Sequence, residues 1–220
     1  MSNDQPIPGL PAIAAVVLAA GHSRRMGSPK MVLPWGDTTV IGQVISVLSR
    51  TKIREIVVVT GGAQTEVECA LQGLPVRLVY NPQHAKGEML SSFQVGLAAL
   101  SDAPAAILLV LGDQPQIQEG VINELIQVYA DTGALLVLPS YRMRRGHPWL
   151  MDSTLIASVL ALQEPATLRD FLNEWSSTIR YIMVETPTVL QDLDTPGDYH
   201  TYRSSTSVSP QVKQEPDLEN

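Results

Sequence analysis

Short apolar segments alternate with amphipathic ones along most of this chain, and that alternation limits the folds it can adopt. Five apolar segments rich in Val, Leu, Ile and Ala have the length and composition of buried parallel strands: 13–20, 55–60, 76–80, 105–111 and 134–138. Four segments between them have apolar residues at helical spacing: 39–50, 64–72, 90–100 and 118–130. This pattern predicts an α/β fold, in which helices cover both faces of a mostly parallel sheet. Ligands bind such folds at the carboxyl ends of the strands, so the loops there are the places to look for chemistry.

The pattern changes after Pro139. Residues 141–151 are predicted to form an irregular ribbon. Two helices and then one strand are predicted to follow, at 152–162, 167–175 and 179–184. Thr195 and Pro196 are the residue types of a helix N-cap and of a first helical position, so a last helix is expected to begin there.

A single domain is expected over residues 1–203, because a chain of 220 residues can bury one good core and shows no internal repeat. Residues 1–10 are expected to be loose. The tail at 204–220 is polar and contains two prolines, so it is expected to be disordered.

Charge and composition exclude several classes of protein. The formal net charge of −7 argues against binding to nucleic acid, which requires a basic face. No apolar run approaches the roughly 20 residues of a membrane helix, so no membrane association is expected. Cys69 is the only cysteine, and the N-terminal residues lack the pattern of an export signal; a cytoplasmic protein is therefore expected.

A glycine-rich loop follows the first predicted strand. Gly21 and Gly27 are six residues apart, and Lys30 lies three residues further on. Glycine permits the backbone angles and close approach that let successive N–H groups converge on phosphate oxygens, and Arg25 and Lys30 can neutralise a triphosphate. The GxGxxG and GxxxxGK[ST] patterns of other nucleotide-binding loops are both absent. The nucleotide-binding residues predicted in and beside this loop are Leu18, Ala19, Ala20, Gly21, Ser23, Arg24, Arg25, Gly27, Lys30 and Gly112.

Three aspartates are candidates for a magnesium site. Asp113 directly follows a predicted strand, so its carboxylate is expected at the strand's carboxyl end. Asp192 and Asp194 follow a second apolar stretch. Magnesium prefers oxygen ligands and commonly uses one or two protein carboxylates together with substrate phosphates and water. A lone Gly-Asp after a strand can equally be an ordinary turn.

Five motifs, in a fixed order over roughly residues 13–202, give the chain a family resemblance. They are LAAGHSRRMGSPK (18–30) continuing into LPWG (33–36), NP (81–82) with GEMLSS (87–92), LGDQP (111–115), RGHP (145–148) and DLDTPGD (192–198). Together they resemble the signature of the MobA-like nucleotidyltransferases, and among these the molybdenum cofactor cytidylyltransferases. The resemblance implies a three-layer, Rossmann-like α/β fold of the nucleotide-diphospho-sugar transferase type.

The resemblance also implies an activity. Such an enzyme moves CMP from CTP to molybdopterin or the molybdenum cofactor and releases pyrophosphate. It implies catalytic roles for Arg25, Lys30 and Asp113, and a Mg²⁺ cofactor held by Asp113 with Asp192 or Asp194. Relatives often carry Asn at one of the two later positions, so the choice between them stays open.

The acceptor side is implied by two further motifs. Resemblance places Arg145, Gly146 and His147 near a phosphorylated pterin-type acceptor, and Ser91 and Ser92 in a loop that could close over the base or the acceptor. The alternatives are a surface hairpin and an ordinary loop leading into a helix. A molybdoenzyme is a candidate partner that would receive the product.

The base of the donor is predicted to be cytosine. Guanylyl-transferring relatives typically carry a second glycine where Ala20 stands, and the alanine methyl takes up space that a purine would need. Two alternatives remain open. One is a nucleotidyltransferase with another base or phosphorylated acceptor, since one branch of the family is known as a redox enzyme of nicotine breakdown. The other is a non-catalytic protein that binds the cofactor and delivers it to a molybdoenzyme.

Overall fold

The computed structural model describes residues 11–23, 25–86, 89–101 and 103–206. The strands in this part of the chain are β1 (Ile13–Ala19), β2 (Pro34–Trp35), β3 (Thr38–Thr39), β4 (Ile53–Thr60), β5 (Arg77–Tyr80), β6 (Ala106–Leu111), β7 (Leu136–Tyr141), β8 (Arg144–Arg145), β9 (Trp149–Asp152) and β10 (Ile179–Met183). The α-helices are α1 (Val40–Ser49), α2 (Gln64–Ala70), α3 (Met89–Ala98), α4 (Glu119–Thr132), α5 (Ile156–Ala161), α6 (Leu168–Glu174) and α7 (Pro196–Thr206). None of the helices described is long and apolar enough to cross a membrane.

The main sheet is mixed but mostly parallel, as predicted. Its order is β10-β7-β9-β6-β1-β4-β5, with β8 paired to β7. β1 lies at its centre and pairs in parallel with both β4 and β6. Only β8 and β9 run antiparallel to their neighbours in this sheet, and β2 and β3 form a separate small ribbon. The predicted α/β fold is confirmed.

Both faces of the sheet are covered, so the residues of β1 alternate between two hydrophobic clusters. Ala15 and Val17 pack into a cluster with residues of α1, α2 and α4. Val16 and Leu18 face the opposite cluster, which contains residues of α3, α5 and α6. Every residue of β1 is buried, which explains why its sequence is continuously apolar instead of alternating. The result is three layers.

The prediction of an irregular ribbon at 141–151 was wrong. β9 (Trp149–Asp152) inserts between β6 and β7 as a strand of the main sheet, and β8 pairs with β7. Leu150 and Met151 are both buried, on opposite faces of the sheet, so β9 lacks the alternation of polar and apolar residues that marks a half-buried strand. The helix predicted at 152–162 is correspondingly shorter, because a 3₁₀ turn (Ser153–Leu155) precedes α5.

The last helix begins where the sequence predicted and ends later. The Thr195 side chain accepts a hydrogen bond from Asp198 N, and the Asp198 carboxylate accepts from Thr195 N in return, at 3.2 and 2.8 Å. α7 then continues to Thr206, three residues beyond the predicted domain end. The remaining predicted tail and the first ten residues lie outside the described residues.

A small third cluster ties this C-terminal segment to the glycine-rich loop. Met26, Trp35 and Val40 pack there against Leu193 and Tyr199. The Tyr199 hydroxyl donates a 2.6 Å hydrogen bond to the carbonyl oxygen of Pro34. The residues flanking Asp192 and Asp194 are therefore fixed against the loop that follows β1.

The contact between α3 and the sheet leads to a stability prediction. A Cβ atom at Gly96 would overlap Val16 Cγ1 and lie 3.0 Å from Val59 Cγ2. We expect Gly96→Ala to lower the free energy of unfolding by about 1–3 kcal/mol through overpacking. The matched control is Gly120→Ala in α4, where an added Cβ meets nothing within 4 Å and no loss is expected. Urea denaturation of both variants tests this, and equal stabilities would contradict the packing described.

Candidate functional site

A cavity of about 310 Å³ opens at the carboxyl ends of β1 and β6, where parallel α/β folds bind ligands. We call it the first cavity. It is lined by Leu18, Ala20, Gly21, Lys30, Met31, His84, Met89, Ser92, Leu111, Asp113, Asp192 and Asp194. Residues from the glycine-rich loop, the end of β6 and the C-terminal motif therefore meet in one place.

The loop after β1 is held in a folded conformation by Ser23. Its backbone φ is +50°, its carbonyl accepts from Met26 N at 2.9 Å, and its hydroxyl accepts from Lys30 N at 3.0 Å. Gly27 has a φ of +69°, a region that favours glycine. The turn brings Lys30 back beneath the end of β1. Arg24, also predicted to bind nucleotide, lies outside the described residues.

Lys30 is the electrostatic centre of the first cavity. Its Nζ lies 2.5 Å from Asp113 Oδ2 and 3.4 Å from Asp194 Oδ1. Burial alone would lower the pKa of Lys30, but the charge and hydrogen bond of Asp113, helped by Asp194, raise the pKa above its usual 10.5. The ammonium group is therefore fully charged at neutral pH. Arg25, whose side chain is exposed, adds a second cation 3.3 Å from Asp194 Oδ2.

Asp192 completes a group of three carboxylates. Leu193 N donates to Asp113 O at 3.1 Å, which docks the C-terminal motif beside the end of β6. Gln114 Nε2 donates to Asp192 Oδ1 at 2.7 Å. The surrounding protein and the charges of Asp113 and Asp194 raise the pKa of Asp192, although the Gln114 hydrogen bond and Lys30 oppose this.

The donor set of this group suits a divalent cation that is shared with a substrate. Asp113 and Asp194 already direct oxygens at one cationic group, the Lys30 ammonium. Among the described residues, no three His, Cys, Asp or Glu side chains converge closely enough to hold a metal by themselves. Magnesium does not require this, since it commonly combines one or two carboxylates with phosphate oxygens and water.

Other predicted nucleotide-binding residues have packing roles. Gly112 N donates to Leu18 O at 3.0 Å, and a Cβ at Gly112 would lie 2.9 Å from that oxygen, so glycine allows the two strand ends to approach. Ala19 is buried in the cluster beneath α1, and its side chain does not line the cavity. Leu18, Ala20 and Gly21 do line it.

The predicted acceptor residues fall into different places. Ser92 lines the first cavity. Arg145 and His147 line a second cavity of about 1110 Å³ between the β8–β9 region and α6. Ser91 lines a third, of about 790 Å³, on the other side of the start of α3. Met89 borders the first and second cavities, which therefore adjoin.

His147 is a neutral, half-buried side chain. Its ring stacks on Trp149 with centroids 4.5 Å apart, and burial lowers the pKa of His147 to about 3. Gly146 packs directly against Val189, so it shapes the backbone of the hairpin. Arg145 Nε donates to the Tyr181 hydroxyl at 2.7 Å, with its guanidinium group at the rim of the second cavity.

Sequence reasoning missed several residues of these cavities. His84 lines the first cavity, Gln114 orients Asp192, and Arg169 adds a cation to the second cavity. Each is a single polar residue in a loop or at a helix start. The one available signal was for Gln114, which lies in the predicted LGDQP motif directly after Asp113.

Comparison with known proteins agrees with this geometry. Residues 15–179 match the model of the MobA-like NTP transferase domain. The chain is 31% identical over 194 residues to nicotine blue oxidoreductase from Paenarthrobacter nicotinovorans, covering 84% of this chain and 94% of that protein. It is 27% identical over 194 residues to molybdenum cofactor cytidylyltransferase from Escherichia coli (strain K12), covering 86% and 95%.

Solved structures share the fold. Rv0371c from Mycobacterium tuberculosis H37Rv superposes with a TM-score of 0.77 at 28% identity, covering 89% of this chain and 99% of that one. A complex of the same protein with manganese has a TM-score of 0.74 at 28% identity, covering 88% and 99%. The predicted Rossmann-like fold is confirmed, and one structural neighbour is a manganese complex.

The Lys30 ion pairs lead to a prediction about stability. We expect Lys30→Met to lower the free energy of unfolding by roughly 2–4 kcal/mol, because it leaves Asp113 and Asp194 without their common cation. A raised lysine pKa contributes stability below the unfolded value of 10.5 that is lost as pH rises through the higher folded value. The difference in the free energy of unfolding between variant and parent should therefore be constant from roughly pH 6.5 to 9, because this whole range lies below the unfolded pKa of lysine.

Urea denaturation across this pH range is the measurement. Lys52→Met, at an exposed lysine in the turn before β4, is the matched control and should change little. Combining Lys30→Met with Asp113→Asn should recover part of the loss. A Lys30→Met variant as stable as the Lys52→Met control would show that the ion pairs contribute nothing.

Proposed function

Because the chain belongs to the MobA-like NTP transferase family, we propose that it transfers CMP from CTP to molybdopterin or the molybdenum cofactor, with release of pyrophosphate. The observation that carries this proposal is the first cavity itself. There the glycine-rich loop, Lys30 and three carboxylates meet at the ends of β1 and β6. Likeness to the E. coli cytidylyltransferase supports the choice of donor and acceptor.

The donor triphosphate lies against the loop after β1. Lys30 and Arg25 neutralise its phosphates, and backbone N–H groups around Gly21 add donors. Magnesium, when bound, would supply positive charge that offsets the negative charge of the phosphates. Asp113 would hold it together with Asp194 or Asp192. Asp194 is the better candidate, because it shares the Lys30 ammonium with Asp113, whereas Asp192 is engaged by Gln114.

The reaction needs position and charge more than a side-chain nucleophile. A phosphate oxygen of the acceptor attacks the α-phosphorus of CTP in line. The bond from the α-phosphorus to the oxygen bridging to the β-phosphate breaks, and pyrophosphate leaves with that electron pair. Lys30 and Arg25 stabilise the negative charge that develops on the leaving group.

The second cavity offers a place for the acceptor. It combines three arginines, Arg144, Arg145 and Arg169, with the stacked rings of His147 and Trp149. Guanidinium groups recognise phosphates, and flat rings pack against a heterocycle. A phosphorylated pterin has both features. The second cavity adjoins the first at Met89, so acceptor and donor could meet there.

The remaining assignments support this account. Ser91 and Ser92 are bridged by Asn81 Nδ2, which fixes the start of α3 between the cavities. We place the activity in one domain that extends to the end of α7, and in the cytoplasm, because a single cysteine can form no disulfide within the chain. A molybdoenzyme would be the recipient of the product.

A second candidate is nucleotidyl transfer to another acceptor, favoured by the 31% identity to an oxidoreductase named for nicotine blue. A third is binding and delivery of cofactor without turnover. Pyrophosphate release measured with each nucleoside triphosphate and a panel of phosphorylated acceptors separates the three. Release only with CTP and molybdopterin supports the first, release with another pair supports the second, and binding without release supports the third.

The metal assignment predicts the effect of one substitution. We expect Asp113→Asn to lower magnesium-dependent pyrophosphate release at least roughly 100-fold, because a charged ligand beside the transferred phosphate is lost. Circular dichroism should show an intact fold. The control is Asp131→Asn on the exposed face of α4, which keeps the oxygen that accepts from Gln127 and should retain activity. Near-normal turnover in Asp113→Asn would refute the assignment.

Base selection by Ala20 predicts a change in specificity. Ala20 is buried and lines the first cavity, and its methyl group restricts the space for a purine. We expect the parent to prefer CTP over GTP by roughly 10- to 200-fold in kcat/KM, and Ala20→Gly to reduce that ratio. Ala98→Gly, on the exposed side of α3, should leave it unchanged. A parent that prefers GTP would overturn the choice of CTP. A ratio unaffected by Ala20→Gly would overturn only its steric explanation.

A further inference from the structure

Three segments meet closely beside the loop that follows β1. The His22 and His84 rings lie with centroids 4.6 Å apart, and Gly61 and Gly62 pass next to them. A Cβ at Gly61 would lie 2.5 Å from Ala20 O and 2.7 Å from His84 Cβ, and one at Gly62 would lie 2.6 Å from His22 Nδ1. Gly61 therefore leaves room for the Ala20 backbone and the His84 side chain. Gly62 leaves room for the His22 ring.

Asn81 anchors the turn that carries His84. The Asn81 side chain is fully buried, and its Nδ2 donates to the hydroxyls of Ser91 and Ser92 at 3.1 and 3.0 Å. Asn81 O accepts from His84 N at 3.2 Å, and Asn81 N donates to Thr60 O at 2.9 Å. The backbone of His84 is thus tied through Asn81 to the end of β4 and to the start of α3. The His84 ring contacts Tyr80 edge-on, with centroids 5.7 Å apart.

The His84 ring has an unsatisfied polar atom. Its Nδ1 is buried, and within the described residues it has no hydrogen-bond partner. A ligand in the cavity cannot reach the enclosed Nδ1, so Nε2 is the ring nitrogen that such a ligand can contact. His84 lines the first cavity together with Ala20 and Ser92.

The two groups of residues around the first cavity differ in charge. Lys30, Asp113, Asp192 and Asp194 form the charged group, which suits phosphates and a cation. His84, Ala20 and Ser92 form a second group that contains no carboxylate, lysine or arginine, and they lie close to one another beside Gly61 and Asn81. A nucleotide has the same division between its phosphates and its base.

We propose that His84 is a specificity-determining residue that contacts the base of the bound nucleotide through its imidazole ring. This inference rests on the proposed binding of a nucleoside triphosphate in the first cavity. A cytosine edge carries both a hydrogen-bond donor and acceptors, so it can pair with a ring nitrogen of an imidazole. His22 and Tyr80 hold the ring in orientation, and Ala20 limits the size of the base that reaches it.

The test separates base recognition from phosphate binding. We would measure the affinity of the full chain for CTP and for inorganic tripolyphosphate, both with Mg²⁺, in the parent, His84→Phe and His84→Gln. Phenylalanine keeps a ring against His22 and Tyr80 but removes the polar atoms. Glutamine keeps a polar atom near the position of Nε2. His200→Phe, an exposed histidine on α7, is the matched control.

We expect His84→Phe to lose roughly 10-fold in affinity for CTP and nothing in affinity for tripolyphosphate, the change that one hydrogen bond of ordinary strength gives. His84→Gln should recover part of the loss, and His200→Phe should match the parent. Thermal unfolding checks that each variant is folded.

Two outcomes would overturn the inference. Equal CTP affinity in the parent and His84→Phe would show that the ring does not read the base. A parallel loss for CTP and tripolyphosphate would show that His84 only shapes the loop. A parent that binds neither CTP nor tripolyphosphate with Mg²⁺ would instead refute the proposed nucleotide function, so the two failures are distinguishable.

Discussion

The ion pair between Lys30 and Asp113 joins the parts of this molecule that the site depends on. Lys30 comes from the loop after β1, and Asp113 follows β6, its neighbour in the sheet, so the pair can form only when β1 and β6 are in register. Asp194 then approaches the same ammonium from the C-terminal segment. Because one cation is shared by two carboxylates, removing it leaves repulsion among charges that the fold has already brought together.

The same ammonium explains how a strongly acidic centre can exist before any ligand arrives. Carboxylates that are to share a metal with phosphates must lie near one another, and unpaired they repel. Lys30 provides the compensating charge in the free protein, while its position beneath the glycine-rich loop leaves it within reach of a triphosphate. Stability and function therefore draw on one side chain.

Sequence reasoning succeeded where the signal was local. β1, the loop after it and Asp113 are each contiguous in sequence, and strand order brings them together. It failed at β9, because a strand of four residues buried on both faces has no periodic pattern, and a segment with glycine and proline before it resembles a loop. The position of His84 beside Gly61 and Ala20 depends on residues far away in sequence, so the resemblance pointed to its loop but did not single out this residue.

The docking of the C-terminal segment has a consequence for synthesis of the chain. Lys30 and Asp194 are separated by 164 positions in the sequence. The cluster that contains Met26, Trp35 and Val40 is likewise completed only by Leu193 and Tyr199. A nascent chain in which β1 and β6 have been made therefore still lacks Asp192 and Asp194. It also lacks Leu193 and Tyr199, which pack beside the glycine-rich loop. The centre is assembled only after residues 192–199 have been made, so a chain that stops before them carries the sheet without a complete site.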